Sequence, residues 1–480
     1  MLLVAGNAWR VWNFTIDDAY ISFRYADNLA AGNGLVYNVG ERVEGYTNFL
    51  WTVILALGRL LGAPPESSAK VLGVVLACAA LIPTYLLARR LRPLTTVPCL
   101  ATWLLATSFL YTGYCVFGLE TPLFLALTLA GTELYLRESE RDEAAGIPWS
   151  GFVLGLAALT RPEAPLWIAM LTLWQGKRAL SRPSLLRLGA FALPVIVHLV
   201  WRRSYYGSWL PNTLAAKTGD LAVQLKGGGT YLESYVAHAG PFLWLGLGAI
   251  AASVLASSGD SARLWKERAG AALGSIVILF GIYVGLIGGD WMPYFRFLAP
   301  AEPFAFLLVG QTIRSLFERR ERAITLALAV FSVFTIYHRS RSLFDAQRHI
   351  LQKEKAFWDD SAGRTAAWFL KKDEPGPIAI ADIGYVGYRT GYPIVDVLGL
   401  LSPEIARLPG GYTRKVGEGF VDAVFARNPR YFVIISSTRD CKGPSIPSAR
   451  AISADPRFKA FTLEGAIHLK GGGSWCIFGK

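Results

Sequence analysis

The sequence predicts a polytopic α-helical membrane protein that carries a small α/β domain at its C-terminal end, outside the membrane. Three observations predict it. Of 480 residues, 53% are hydrophobic and 17% charged, against about 25% charge in a soluble domain. The apolar residues gather into runs close to the ~20 residues that a spanning helix needs. From Arg339 onward the texture changes to short β-rich runs alternating with helical stretches, the pattern of a small α/β domain.

The full-length candidate spans are 69–88, 97–117, 119–136, 186–201, 241–257, 270–287, 298–317 and 323–338. Two shorter pieces, 150–159 and 164–174, flank the polar tetrad Thr160-Arg161-Pro162-Glu163. Each is only ~15–17 Å long at 1.5 Å per residue. They are expected to form a hairpin of half-height or tilted helices, with Pro162 as the breaker. The apolar stretch 1–14 is too short to span: either the chain begins late, or a natural first helix extends upstream of this start.

The net charge of +13 sits in short clusters between apolar runs. These are Arg89, Arg90 and Arg92; Arg137 and Arg141; Lys177, Arg178, Arg182 and Arg187; Arg263, Lys266 and Arg268; and Arg314, Arg319, Arg320 and Arg322. All five fall on one side if 48–62 lies along the membrane without crossing, which makes them cytoplasmic. The distribution follows the positive-inside rule and gives no nucleic-acid partner. Counting the partial first helix and both halves of the hairpin gives about eleven membrane helices. The domains expected are 1–338, with a first outer loop at 15–47, and an extracytoplasmic domain at 339–480.

The outer side then collects the chemistry. Asp17 and Asp18 follow the first apolar segment. A carboxylate there can cap a helix, but a pair of them beside a membrane is costly without a function. Two carboxylates also supply what glycosyl transfer requires, a base or nucleophile with a positioning anion. Arg161 and Arg296, with Lys217 in another outer loop, are candidates for a lipid phosphate, which the guanidinium fork suits. Glu44, Glu120, Glu163, Asn212, Asp290, Trp291, Tyr294 and Asp382 are candidate substrate-binding residues. The competing reading of Arg161, Glu163, Glu120, Asp290 and Arg296 is a set of ion pairs that hold helix ends together. No CxxC or His-rich spacing marks a metal site, and no cofactor is indicated, although a divalent cation at the acidic pair remains chemically reasonable. Of five cysteines, only Cys441 and Cys476 lie in polar sequence, and in an exported domain they are expected to form a disulfide.

The stretch DDAYISFRYADNLAAGNGLVYNVGERVEGYTNFLW (17–51) resembles the first outer loop of the terminal arabinofuranosyltransferases of the mycobacterial cell wall and their bacterial relatives. The likeness continues in GLETP (118–122), LTRPE (159–163), LPNTLAAKTG (210–219), GGDWMPYFRFLAP (288–300) and ADIGYVGYRTGYPIVDVLGL (381–400), in family order. The resemblance implies a GT-C membrane fold with an extracytoplasmic C-terminal domain and an active site outside the bacterial inner membrane. It implies a decaprenyl-phosphate arabinofuranose donor and places the essential aspartate pair on Asp17 and Asp18. The acceptor stays open between a periplasmic glycan and a protein, since relatives of this general type also modify pilins. Two other readings compete. One is a GT-C transferase for mannose or aminoarabinose; the other is a lipid-linked sugar flippase, although only one broken hairpin is visible where transporters repeat such pairs. The oligomeric state is not legible.

Overall fold

The computed structural model describes residues 1–91, 100–141, 146–239, 264–290, 292, 294–318, 345, 348–372, 374–411 and 414–480. The expected spans at 241–257 and 323–338, and Trp291, lie outside the described residues. The chain divides into two compact units. One comprises 1–12, 70–199 and 225–348; the other comprises 13–69, 200–224 and 349–480.

The first unit is helical. Among the described residues, three helices are long and apolar enough to cross a membrane: Pro65–Leu91, Arg182–Tyr206 and the Ala269–Leu286 part of Leu264–Leu286. The expected span 119–136 is a helix, Thr121–Arg141, but Glu133, Arg137 and Glu138 make its second half polar. Glu133 meets Arg90 at 2.8 Å, and Glu138 meets Arg187 at 3.1 Å. The described part of 97–117 is interrupted, with helices Leu100–Thr107 and Phe109–Tyr114 separated by Ser108, whose hydroxyl accepts from the Tyr111 N–H.

The hairpin forms as its sequence requires, with helices Trp149–Ala158 and Pro165–Leu173 on either side of the polar tetrad. Pro165 opens the second, where its missing N–H costs nothing. Gly151 and Gly155, one turn apart, lie against the helix Arg182–Tyr206. A Cβ on Gly151 would sit 2.0 Å from the Arg187 carbonyl oxygen, and one on Gly155 2.6 Å from Pro194 Cγ. Small residues at this spacing let two membrane helices approach closely. Trp167 anchors the interior, edge-on to Phe124, Phe280 and Phe304.

The second unit is built on a five-stranded sheet in the order β2-β1-β3-β5-β4. Its strands are β1 (Ile378–Ile380), β2 (Ile394–Asp396), β3 (Tyr431–Ser436), β4 (Thr462–His468) and β5 (Ser474–Gly479). β1 runs parallel to both β2 and β3, whereas β5 is antiparallel to β3 and β4. Alternation sorts the side chains. Ile378, Ile380, Tyr431, Val433, Trp475 and Ile477 enter one core, together with Ile21, Tyr25, Tyr37 and Tyr46 from the segment 13–69. Ala379, Val395, Phe432, Ile434 and Cys476 enter the other, with Phe420, Val424 and Ile452 from the tail's own helices. Both faces of β1, β2 and β3 are covered, so these strands read as nearly continuous apolar runs, whereas the edge strand β4 is largely exposed. The β-rich runs of the tail sequence, 378–382, 393–397 and 431–436, contain β1, β2 and β3; β4 and β5 come in addition. The segment expected as an outer loop is therefore half of a core.

Cys441 and Cys476 form a disulfide, with Cα atoms 5.9 Å apart, inside the usual 4.4–6.8 Å. It ties the turn after β3 to β5. Replacing Cys476 with serine is expected to cost about 2–4 kcal/mol, read as a lower denaturation midpoint. A midpoint that matches wild type under non-reducing conditions would show that the bond contributes nothing.

Candidate active site

In the second unit the acidic pair opens the helix Asp17–Ala30, whose N-cap residue is Ile16. Neither aspartate caps that helix; both occupy its first turn, where the helix dipole favours anions. Asp17 is buried and serves a second helix instead. Its Oδ2 accepts from the Gly384 N–H at 3.1 Å and its Oδ1 from the Tyr385 N–H at 2.8 Å. Those residues begin the helix Gly384–Thr390. Position 384 has to be glycine, because a Cβ would lie 2.1 Å from the Asp17 carbonyl oxygen and 2.4 Å from its Oδ2.

Arg24 lies two helical turns beyond Asp17 and so on the same face. It holds the other end of the tail helix. Its guanidinium donates to the carbonyls of Gly387 at 2.6 Å, Tyr392 at 2.8 Å and Tyr37 at 2.8 Å. An anion therefore meets the positive end of the tail helix and a cation the negative end, each the favourable sign. Tyr37 adds a hydrogen bond from its hydroxyl to the Ile383 carbonyl. Nothing local in the sequence marks Arg24 as a site residue. The spacing of Asp17 and Arg24 is legible, but the target of Arg24 lies 363 positions away.

This interlock brings Asp382 to the pair. Asp382 follows β1 at the carboxyl end of the parallel strands, the edge at which α/β sheets commonly bind ligands. Burial pushes the Asp17 carboxyl up to about 8; Asp382 and Asp18 add to the shift, and the two backbone N–H groups oppose it. Burial also raises Asp382 to about 7, reinforced by Asp18 and Asp396. Asp396, at the end of β2, is raised to about 6 by burial, against the N–H groups of Leu398 and Leu401 that it accepts from at 2.8 and 2.9 Å. Asp18 is only half-buried, which makes it the member of the pair that a substrate can reach. Among the described residues, no group of three or more His, Cys, Asp and Glu is placed to hold a metal.

Elsewhere in this unit Glu44 and Asn212 come together. Arg202 grips Glu44 through two nitrogens, at 2.7 and 3.1 Å, and burial pushes the Glu44 carboxyl up to about 7 against the pull of Arg202. Asn212 donates its side-chain amide to the carbonyls of Gly399 and Leu400 at 2.7 and 2.8 Å. Its backbone N–H reaches the Glu44 carbonyl at 3.1 Å. Both residues clamp segments of this unit to one another. Lys217 ends the short helix Asn212–Lys217 and is exposed.

Raised carboxyl pKa values carry a sign for stability. Each such group favours folding below its unfolded pKa, near 4, and loses that contribution as pH rises through its folded value. Stability is therefore expected to fall as pH climbs from about 4 and to level off past about 6 to 8, the folded values of Asp396, Asp382, Glu44 and Asp17. Asp382→Asn is expected to raise the melting temperature at pH 8 by a few degrees, since about 1 kcal/mol is worth roughly 2–4 °C in a large domain, and to change it little at about pH 4, the unfolded value. A melting curve identical to wild type at both pH values would refute the raised Asp382 value.

The first unit holds the second set of candidates. Arg161 meets Glu163 at 3.0 Å and Glu120 at 3.6 Å. Arg296 meets Asp290 at 2.9 Å. The two guanidinium groups stand against one ring, Phe297, at 5.3 and 4.9 Å from its centroid. Tyr294 is buried against Phe109 and Phe117. The structure thus brings Arg161 and Arg296 together and gives each a carboxylate partner, the arrangement of the ion-pair reading.

This architecture is the GT-C fold of membrane-embedded glycosyltransferases. The apo structure of ArnT from Cupriavidus metallidurans matches 99% of this chain and 97% of its own with a TM-score of 0.57 at 13% identity. The same enzyme bound to undecaprenyl phosphate matches at 0.56 and 11%, with the same coverage of both chains. The Archaeoglobus fulgidus oligosaccharyltransferase, in a complex with Zn and sulfate, matches 99% of this chain and 72% of its own with a TM-score of 0.53 at 13% identity.

In sequence the chain is similar to two proteins named terminal beta-(1->2)-arabinofuranosyltransferase. The one from Corynebacterium glutamicum is 26% identical over 78% of this chain and 58% of its own. The one from Mycobacterium tuberculosis is 31% identical over 44% of this chain and 36% of its own. The chain therefore spans under two thirds of the length of these relatives. Residues 350–477 match DUF8728, a domain of unknown function.

Proposed function

We propose that this protein is a glycosyltransferase that moves a sugar from a polyprenyl phosphate to a glycan or protein acceptor on the extracytoplasmic side of a bacterial inner membrane. D-Arabinofuranose is the sugar that the similar proteins' name supports. The polyprenyl phosphate has support in the undecaprenyl phosphate bound by ArnT. The observation that carries the reading is the cluster of Asp17, Asp18 and Asp382, gathered from segments more than 360 positions apart and held by backbone hydrogen bonds.

In this mechanism Asp17 is a positioning residue and Asp18 the reacting carboxylate. If the configuration at the anomeric carbon inverts, Asp18 takes the proton of the acceptor hydroxyl as its oxygen bonds to that carbon. The polyprenyl phosphate leaves with the electrons of the broken bond. If configuration is retained, Asp18 attacks first or steadies an oxocarbenium-like state. The leaving phosphate calls for cations, and Arg161, Arg296 and Lys217 are the proposed ones.

Purified protein in detergent, incubated with radiolabelled polyprenyl-phosphate sugars and a panel of glycan and peptide acceptors, tests the proposal. Label transferred from an arabinofuranosyl donor is the expected result. Transfer from a mannosyl or aminoarabinosyl donor alone would replace the sugar, and no release of sugar from any donor would end the reading.

A further inference from the structure

Beside the carboxylate cluster lies a group of aromatic rings that the mechanism above does not use. Tyr385 and Tyr388 occupy one face of the tail helix Gly384–Thr390, at the i, i+3 spacing. Tyr385 stands edge-on to Tyr20 with centroids 5.0 Å apart. Tyr388 packs on Tyr20 at 5.4 Å and on Phe23 at 6.0 Å. Tyr20 and Phe23 are buried, while Tyr385 and Tyr388 keep part of their surface exposed. The inner pair thus props up the outer pair, and the Tyr385 backbone N–H is one of the two that hold Asp17. The rings are fixed to the same peptide units as the acidic pair.

We propose that Tyr385 and Tyr388 form the platform on which a neutral sugar ring of the acceptor binds, next to Asp18 and Asp382; the proposal rests on the glycosyltransferase reading above. Two observations select a neutral polyol over the donor's phosphate. The charged groups beside the rings are mainly carboxylates: Glu66, which accepts from the Tyr20 hydroxyl at 3.1 Å, and Asp27, which faces Tyr388 and pairs with Arg59 at 3.0 Å, while Asp18 and Asp382 lie two residues before Tyr20 and three before Tyr385. The cations beside these rings, Arg59 and the exposed Arg389, are outnumbered by them. Sugar hydroxyls donate to carboxylates, whereas a phosphate would be repelled by them. The aromatic faces meanwhile offer a flat apolar surface for the C–H face of a sugar ring. Asp382 and Asp18 would then orient the hydroxyl that is to react.

The full chain in detergent tests this with a fixed polyprenyl-phosphate donor and a synthetic neutral furanose oligosaccharide as acceptor. Tyr385→Ala and Tyr385→Leu are expected to raise the acceptor KM about tenfold and to increase the share of donor sugar lost to water, with the donor KM unmoved. Tyr385→Phe keeps the ring and is expected to stay within about twofold of wild type. The leucine variant retains bulk, so the comparison stands even if alanine loosens the helix. An acceptor KM that stays at the wild-type value in both variants would overturn the proposal. So would a rise in donor KM alone, which would assign the rings to the isoprenoid chain. A wild-type protein that neither transfers nor hydrolyses any donor would instead end the glycosyltransferase reading.

Discussion

Replacing Asp18 with asparagine is expected to lower sugar transfer by about 10²–10⁴-fold, the usual cost of losing an essential acid, base or nucleophile. Its melting temperature is expected to stay near wild type, because Asp18 is half-buried and asparagine matches its shape. Asp17→Asn should also lose activity, but for another reason and with another signature. The Asp17 carboxylate accepts two backbone N–H groups from Gly384 and Tyr385. A carboxamide presents one oxygen and one N–H₂, so one of those donors loses its partner in a buried place, at about 1–3 kcal/mol. Transfer and melting temperature should therefore fall together in Asp17→Asn and separate in Asp18→Asn. A double variant that keeps more than roughly a tenth of wild-type turnover would remove both residues from the mechanism.

The second large effect is expected at Arg161 and Arg296. If they hold the donor phosphate, Arg161→Lys and Arg296→Lys keep the charge but lose the two-pronged fork. Charged hydrogen bonds of this kind contribute about 1.5–3 kcal/mol, so the donor KM should rise by roughly ten- to a hundredfold, with little change in acceptor dependence. The ion pairs with Glu163, Glu120 and Asp290 make the alternative concrete. A phosphate has to compete with those carboxylates, and a purely structural arginine would show only lost stability. If both lysine variants titrate with donor like wild type and merely melt earlier, the phosphate lies elsewhere and Lys217 is next to be tested.

Much of this site was legible in the sequence, for physical reasons that differ from residue to residue. An acidic pair beside an apolar segment announces itself, since charge near lipid needs a cause. The hairpin was legible because Pro162 and the short apolar pieces leave no other helical arrangement. Cys441 and Cys476 were legible by elimination. Trp291 was singled out as well, and it falls outside the described residues. The spans were less legible: the sequence suggested about eleven, and three helices among the described residues meet the length and apolarity of a crossing. Helices such as Thr121–Arg141 mix apolar faces with paired charges, and composition alone does not place them. The aromatic pair Tyr385 and Tyr388 sat inside a recognised motif without being assigned, because an i, i+3 pair of rings says nothing about what it faces.

The sequence by itself determined the helical, apolar bulk of the chain, the α/β texture of its tail and the supply of carboxylates and guanidinium groups from which the proposed site is drawn. Those properties are local: hydropathy, periodicity and the chemistry of single side chains are written in consecutive residues. Tertiary structure alone buried Asp17 against the tail helix and left Asp18 half-buried. It turned an expected outer loop into one side of a sheet's core and made Asp17 and Arg24 the two ends of a clamp on a helix over 360 residues away. It also gave Arg161 and Arg296 a common ring at Phe297. Such relations depend on which distant segments meet, and hydrogen bonds and burial between distant segments leave no fixed spacing in the chain from which to read them.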